Sequence, residues 1–137
     1  MKKAVMKTFL FLTLLFTGNV FATDTNGVWE HHIKAWVGRD LDAIASDYSK
    51  DSIMIVNNTI YRGPEEIKKV FERLFEIFDD GENEIDPVVI EGRIVYITWR
   101  FTPTGNKQYF GTDTFVIENG KIKVQTIASE LYDQYPL

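Results

Sequence analysis

The chain has 137 residues, room for one domain and not two. It carries 15 basic and 20 acidic residues and no cysteine. That excludes disulfides, thiolate metal sites, thiol nucleophiles and a cysteine-linked lipid anchor, and argues against nucleic acid or an anionic lipid surface as partner, because no basic stripe is present.

Lys2, Lys3 and Lys7 open the chain with no acid nearby, and residues 8–17 are almost wholly apolar. Gly18 and Asn19 break that run, and Val20-Phe21-Ala22 places small residues where a signal peptidase reads. The apolar run is too short to span a bilayer. A bacterial-type signal peptide over residues 1–22 is expected, with a mature domain over 23–137. The product is then periplasmic or secreted, with no membrane contact after cleavage; an uncleaved anchor is the alternative. Three of the 15 basic residues and none of the 20 acidic ones precede Thr23, which leaves 12 against 20 and a net charge of −8.

Residues 23–27 read as polar and loose. From Val28, Trp29, Ile33 and Trp36 fall on one face of a helix, with His32 beside them, Asn26 as cap and Gly38 as a left-handed stop. Asp40 caps a second helix carrying Leu41, Ile44, Ala45 and Tyr48 inward. Residues 53–56 form a short strand, Asn57-Asn58 a turn, and 59–62 the returning strand. Gly63-Pro64 opens a third helix whose apolar stripe is Ile67, Val70, Phe71, Leu74, Phe75 and Phe78. The rest reads as strands over 85–91, weakened by Pro87, then 93–102, 108–117 and 121–131, with Asn119-Gly120 as a hairpin turn. Three helices followed by antiparallel strands make an α+β domain, with the helices covering one face of a strongly curved sheet.

Three stretches carry a resemblance: 36–51, with Gly38-Arg39-Asp40-Leu41-Asp42 and Tyr48-Ser49-Lys50-Asp51; 61–67, Tyr-Arg-Gly-Pro-Glu-Glu-Ile; and 109–123, with Asp113 ahead of Phe115. In order and spacing they resemble the nuclear transport factor 2-like superfamily, in its SnoaL-like and ketosteroid-isomerase-like branch. The resemblance implies a cone-shaped α+β barrel, a pocket between helices and sheet, and homodimers through the outer sheet face. It implies no single function, since members include isomerases, cyclases, dehydratases and binding modules.

Asp113 lies mid-strand and shares its face with Tyr109 and Phe115. It matches the position where ketosteroid isomerases keep a neutral aspartic acid, a carboxyl held protonated by its apolar site so that it can donate a hydrogen bond; a backbone-bonded structural Asp is the alternative. His32 matches the tyrosine those enzymes carry on the first helix, as hydrogen-bond donor or proton shuttle, or else it packs beside Trp36. His31 and His32 point about 100° apart on a helix, so they do not converge on one metal ion. The isomerases' general base falls on Val56, with Asn57 next, and neither abstracts a proton; Glu130 or His32 is the candidate replacement. Arg62 and Arg100 are candidate clamps for a substrate carboxylate, or solvated. Trp36, Val56, Asn57, Tyr61, Phe75, Trp99, Tyr109 and Phe115 are the expected ligand-binding lining. No cofactor and no metal are expected. The reading is an exported module that binds a small apolar or amphipathic molecule, with a cofactor-independent acid–base enzyme using Asp113 and His32 as the alternative; a structural dimeric adaptor is a third. Asp113→Leu is expected to be tolerated if the pocket is dry.

Overall fold

A computed structural model describes residues 20–137, with side chains from Asp24 onward; residues 1–19 of the expected leader lie outside it. Helix α1 (Val20–Val37) continues through residues 23–27, where the sequence suggests a loose segment capped by Asn26. Tertiary bonds explain the difference. The Asp24 carboxylate accepts from the Gly120 backbone N–H at 2.7 Å, and the Thr25 hydroxyl donates to the Gly92 carbonyl at 2.8 Å. Each bond ties this stretch to a turn of the sheet.

The break after α1 places Arg39, not Gly38, in the left-handed region, at φ 52°. The Arg39 guanidinium donates to the Phe75 carbonyl at 2.7 Å and lies over the Phe75 ring. Helix α2 (Leu41–Ser46) is capped by Asp40, whose side chain accepts from the Ala43 N–H. Strand β1 (Tyr48–Val56) is longer than its apolar run because residues 48–51 join it, and it turns at Asn57 into β2 (Thr59–Arg62). Helix α3 (Gly63–Ile77) starts at a glycine with φ 74° and buries the predicted stripe. The predicted strand over 85–91 is interrupted around Pro87, giving β3 (Gly81–Ile85) and β4 (Val89–Glu91). Strands β5 (Ile94–Pro103), β6 (Tyr109–Glu118) and β7 (Lys121–Ser129) form the meander, and a short α4 (Leu131–Gln134) replaces the expected end of the last strand. Asn119 and Gly120, at φ 51° and 72°, make the β6–β7 turn as their sequence predicts.

The sheet runs β2-β1-β7-β6-β5-β3, with β4 also beside β5. Among the described residues only β1 and β7 pair in parallel. This is the α+β class read from sequence: helices on the inner face of a curved, mostly antiparallel sheet, left open at β2 and β3. α3 packs on β1 and β2, whereas α1 reaches β4, β5 and β6. The inner face carries Val95, Ile97, Trp99 and Phe101 of β5, Asp113, Phe115 and Ile117 of β6, and Ile122, Gln125 and Ile127 of β7, all buried. The space between α1 and these three strands is where the candidate site lies.

Candidate functional site

Strand register builds the floor. Asp113 stands between Ile97 on β5 and Ile127 on β7. Its diagonal neighbours on the same face are Trp99, opposite Gly111, and Gln125, opposite Phe115. Each diagonal neighbour supplies one donor. Trp99 Nε1–H donates to Asp113 Oδ1 at 2.8 Å, and Gln125 Nε2–H donates to Oδ2 at 2.9 Å. The amide orientation of Gln125 is set from behind, where the buried Tyr48 hydroxyl donates to Gln125 Oε1.

Gly111 makes the first bond possible. A Cβ there would lie 2.0 Å from Trp99 Cζ2. The missing side chain lets the indole lie across β6 and reach Asp113. Burial pushes the Asp113 carboxyl up to about 6, against the Trp99 and Gln125 hydrogen bonds, which favour its ionised form.

Helix α1 supplies the roof. Trp29, His32, Ile33 and Trp36 follow the i, i+3, i+4, i+7 spacing and all line the cavity. His32 is 4% exposed and packs edge-on against Phe115, Phe71 and Tyr48. Its Nδ1 lies 3.0 Å from Asp47 Oδ2, and His31 Nδ1 lies 2.6 Å from Asp47 Oδ1. The two histidines converge on one carboxylate, because its oxygens can be approached from different sides. A carboxylate accepts from both, so each Nδ1 carries the hydrogen. That leaves Nε2 of His32 as the ring's free nitrogen. No buried side-chain polar atom among the described residues lacks a partner, and none is found for this Nε2, so it opens onto the cavity that His32 lines.

Phe78, Leu74, Tyr132, Ile85 and Asn83 complete the wall. Burial, with the Asp113 carboxylate nearby, holds the Tyr132 phenol well above its ordinary value, so it is a neutral hydroxyl at physiological pH.

The structure brings together Asp113, His32, Trp36, Trp99 and Phe115 as the sequence proposes. Val56, Asn57, Tyr61, Phe75 and Tyr109 do not line the cavity; α3 lies over β1 and β2 and fills the space in front of Val56 and Tyr61. Val56 is core. Asn57 clamps the backbone of Ser129, its amide donating to the carbonyl and its oxygen accepting from the N–H, both at 3.1 Å. Tyr61 is half-buried on the edge strand. Phe75 stands behind Trp36, ring centroids 5.1 Å apart, with Arg39 on it. Tyr109 packs against Tyr135. Arg100 pairs with Asp86, Arg62 is exposed, and neither lines the cavity. Glu130, exposed and facing Lys107, is no replacement base. Among the described residues no cluster of three or more His, Cys, Asp or Glu is spaced to hold a metal ion.

Asp47, Gln125 and Tyr132 are site residues that sequence reasoning misses. Gln125 is within its reach, since it shares a strand face with Ile127. Asp47 carries no such signal, because only the α2 turn brings it under α1.

A family model for the SnoaL-like domain matches residues 29–125. No curated protein matches. Among solved structures, a protein described as a SnoaL-like polyketide cyclase from Jannaschia sp. CCS1 superposes with a TM-score of 0.69 at 18% identity, over 84% of this chain and 91% of that one. A de novo designed protein with a curved β-sheet gives 0.65 at 21% identity, over 77% and 84%. An NTF2-like protein of unknown function from Cytophaga hutchinsonii ATCC 33406 gives 0.64 at 14% identity, over 81% and 94%. Likenesses at this identity carry the fold. That a designed protein shares it underlines that the fold does not name a function.

Proposed function

The chain belongs to the SnoaL-like domain family, and from that premise we propose that it is an exported protein binding a small apolar or amphipathic molecule between α1 and the inner face of β5–β7. The observation that carries this reading is the aromatic cavity whose polar lining includes Asp113 and His32. A chain that needed only a packed core would gain by filling this space and by avoiding a buried carboxyl. Export rests on the leader pattern of residues 1–22. The test is thermal melting against a panel of small apolar and amphipathic compounds. A binder raises Tm in the parent protein, and the rise disappears in Ile127→Trp, which fills the cavity. A panel in which no compound moves the parent Tm sinks the reading.

One observation favours a second reading, cofactor-independent acid–base catalysis. His32 has a carboxylate on Nδ1 and its Nε2 towards the cavity, the arrangement of an oriented general base. Asp113, pushed up to about 6, holds a proton in a useful range. A bound carbonyl compound would lose an α-proton to Nε2, while Asp113 donates to its oxygen. Deuterium uptake from D2O at the α-carbon of such a compound, lost in His32→Asn, is the expected signature. Equal uptake in both proteins would exclude His32.

A further inference from the structure

We propose that the ligand is a single-ring hydroxy compound of the phenol or enol class, seated with its hydroxyl between His32 Nε2, Asp113 and Tyr132. This rests on the small-molecule reading above and narrows it. Size is the first ground. The space open to the centre of a water molecule is about 60 Å³. That is room for several waters or part of one ring, far below the roughly 300 Å³ or more of sites for drug-sized ligands. The enclosed part favours a single ring over a rigid polycycle. The ring lies with its polar edge on the floor and its apolar end in the mouth beside Ile33 and Ile85.

Wall chemistry is the second ground. Trp29, Trp36, Trp99, Phe78, Phe115 and Tyr132 present aromatic surface from α1, the α3 C-terminus, β5, β6 and α4, which suits a flat ring in edge-to-face contact. The polar groups select the head. His32 Nε2 is an acceptor once Nδ1–H is committed to Asp47. Asp113 accepts when ionised and donates when neutral. The Tyr132 hydroxyl both donates and accepts, and no partner for it is found among the described residues. A hydroxyl is the head group that answers such a set, because it donates to the nitrogen or carboxylate and accepts from the phenol. A carboxylate head is refused, since no Lys or Arg among the described residues lines the cavity and Asp113 repels it.

All three tryptophans of the chain line this cavity, so their emission reports occupancy directly. The experiment titrates the protein with p-cresol, toluene, 4-methylanisole, p-toluate, 4-methylbenzylammonium and 2-naphthol. p-Cresol is expected to bind about tenfold more tightly than toluene or 4-methylanisole, the value of one additional net hydrogen bond. p-Toluate and 2-naphthol are expected to bind more weakly than p-cresol. His32→Asn keeps the bond to Asp47 but withdraws the cavity nitrogen, so p-cresol should fall to the level of toluene. His32→Gln, which restores an acceptor at that reach, should recover part of the difference. Tyr132→Phe removes only a hydroxyl and should lower the preference should His32→Asn fail to fold. Equal affinity for toluene and p-cresol overturns this proposal and leaves the small-molecule reading standing. Tighter binding of the ammonium, the carboxylate or the bicyclic phenol overturns the assigned class. Silence from all six compounds overturns both readings.

Discussion

Asp113 is pulled in two directions. Burial favours the neutral acid, while N–H groups from Trp99 and Gln125 favour the carboxylate, and burial wins by enough to bring it to about 6 from an ordinary 3.8. The sign for stability follows. Because the folded state binds this proton more tightly, the stabilisation is fully present below pH 3.8 and is lost as pH rises through about 6. A shift of this size is worth about 3 kcal/mol at most. Asp113→Asn should therefore remove a fall in stability between pH 4 and 7 that the parent shows, with urea midpoints across that range as the measurement. Asn fits if Gln125 turns its amide over, presenting Oε1 to the new NH2 while Nε2 donates to Tyr48. Asp113→Leu has no such escape. It leaves two buried N–H donors without an acceptor, at about 1–3 kcal/mol each. The structure thus reverses the tolerance expected from a dry pocket, and urea unfolding at pH 7 should show Leu clearly below Asn.

At the scale of elements, the site depends on the Trp99 indole of β5 lying across β6 at Gly111. The backbone there needs no unusual conformation, so the requirement is space alone: a Cβ would meet three atoms of the Trp99 indole at 2.0–2.4 Å. Gly111→Ala should displace the indole, break its bond to Asp113, and cost about 1–3 kcal/mol as overpacking does. Tryptophan emission should shift as Trp99 changes environment. An unchanged spectrum and Tm would mean that the indole is not seated there. A second device joins α1 to α2. Asp47, at the α2 C-terminus, receives a ring nitrogen from each of two successive histidines, one exposed and one buried. It fixes which ring nitrogen of His32 is left for the cavity.

For the whole molecule, the outer sheet surface bears on assembly. The large apolar side chains left exposed there include Ile60 on β2, Val89 on β4, Ile94 and Tyr96 on β5, and Phe110 on β6. The outward face of β7 carries a half-buried Val124 with Thr126 and Ala128, so the exposed large apolar side chains cluster closer to the β4–β5 side than the alternation of both strands suggests. We propose that Val89, Ile94 and Tyr96, neighbours on the β4–β5 ladder, form a homodimer contact, since exposed apolar side chains clustered in this way mark interaction sites. Light scattering should give the dimer mass at micromolar concentration, and Tyr96→Lys with Ile94→Lys should give the monomer with its fold intact. A parent that is monomeric throughout would exclude the contact. Export is tested separately. Mass spectrometry of the exported protein should find Thr23 at its N-terminus, directly ahead of the Asp24 and Thr25 side chains that α1 ties to the sheet; an intact Met1 in the membrane fraction would refute cleavage.

The sequence by itself determined the class of the domain, the α3 stripe, the Asn119-Gly120 hairpin and the inward parity of Asp113 and Phe115, because each is written in a local period or a turn residue. Helix spacing put Trp36 on the inward face of α1 with His32 beside it, while a pocket at these residues was implied only by the family resemblance. The sequence offers no means of telling which part of the sheet's inner face stays open. Tertiary structure decided this, when α3 settled on β1 and β2, closed over Val56 and Tyr61, and left the opening against β5–β7. The partners of the two polar groups were likewise decided in three dimensions. Trp99 and Gln125 reach Asp113 through cross-strand diagonals, and Asp47 reaches His32 through a helix turn. These contacts span 12 to 15 residues of chain, and no local period carries information over such a distance.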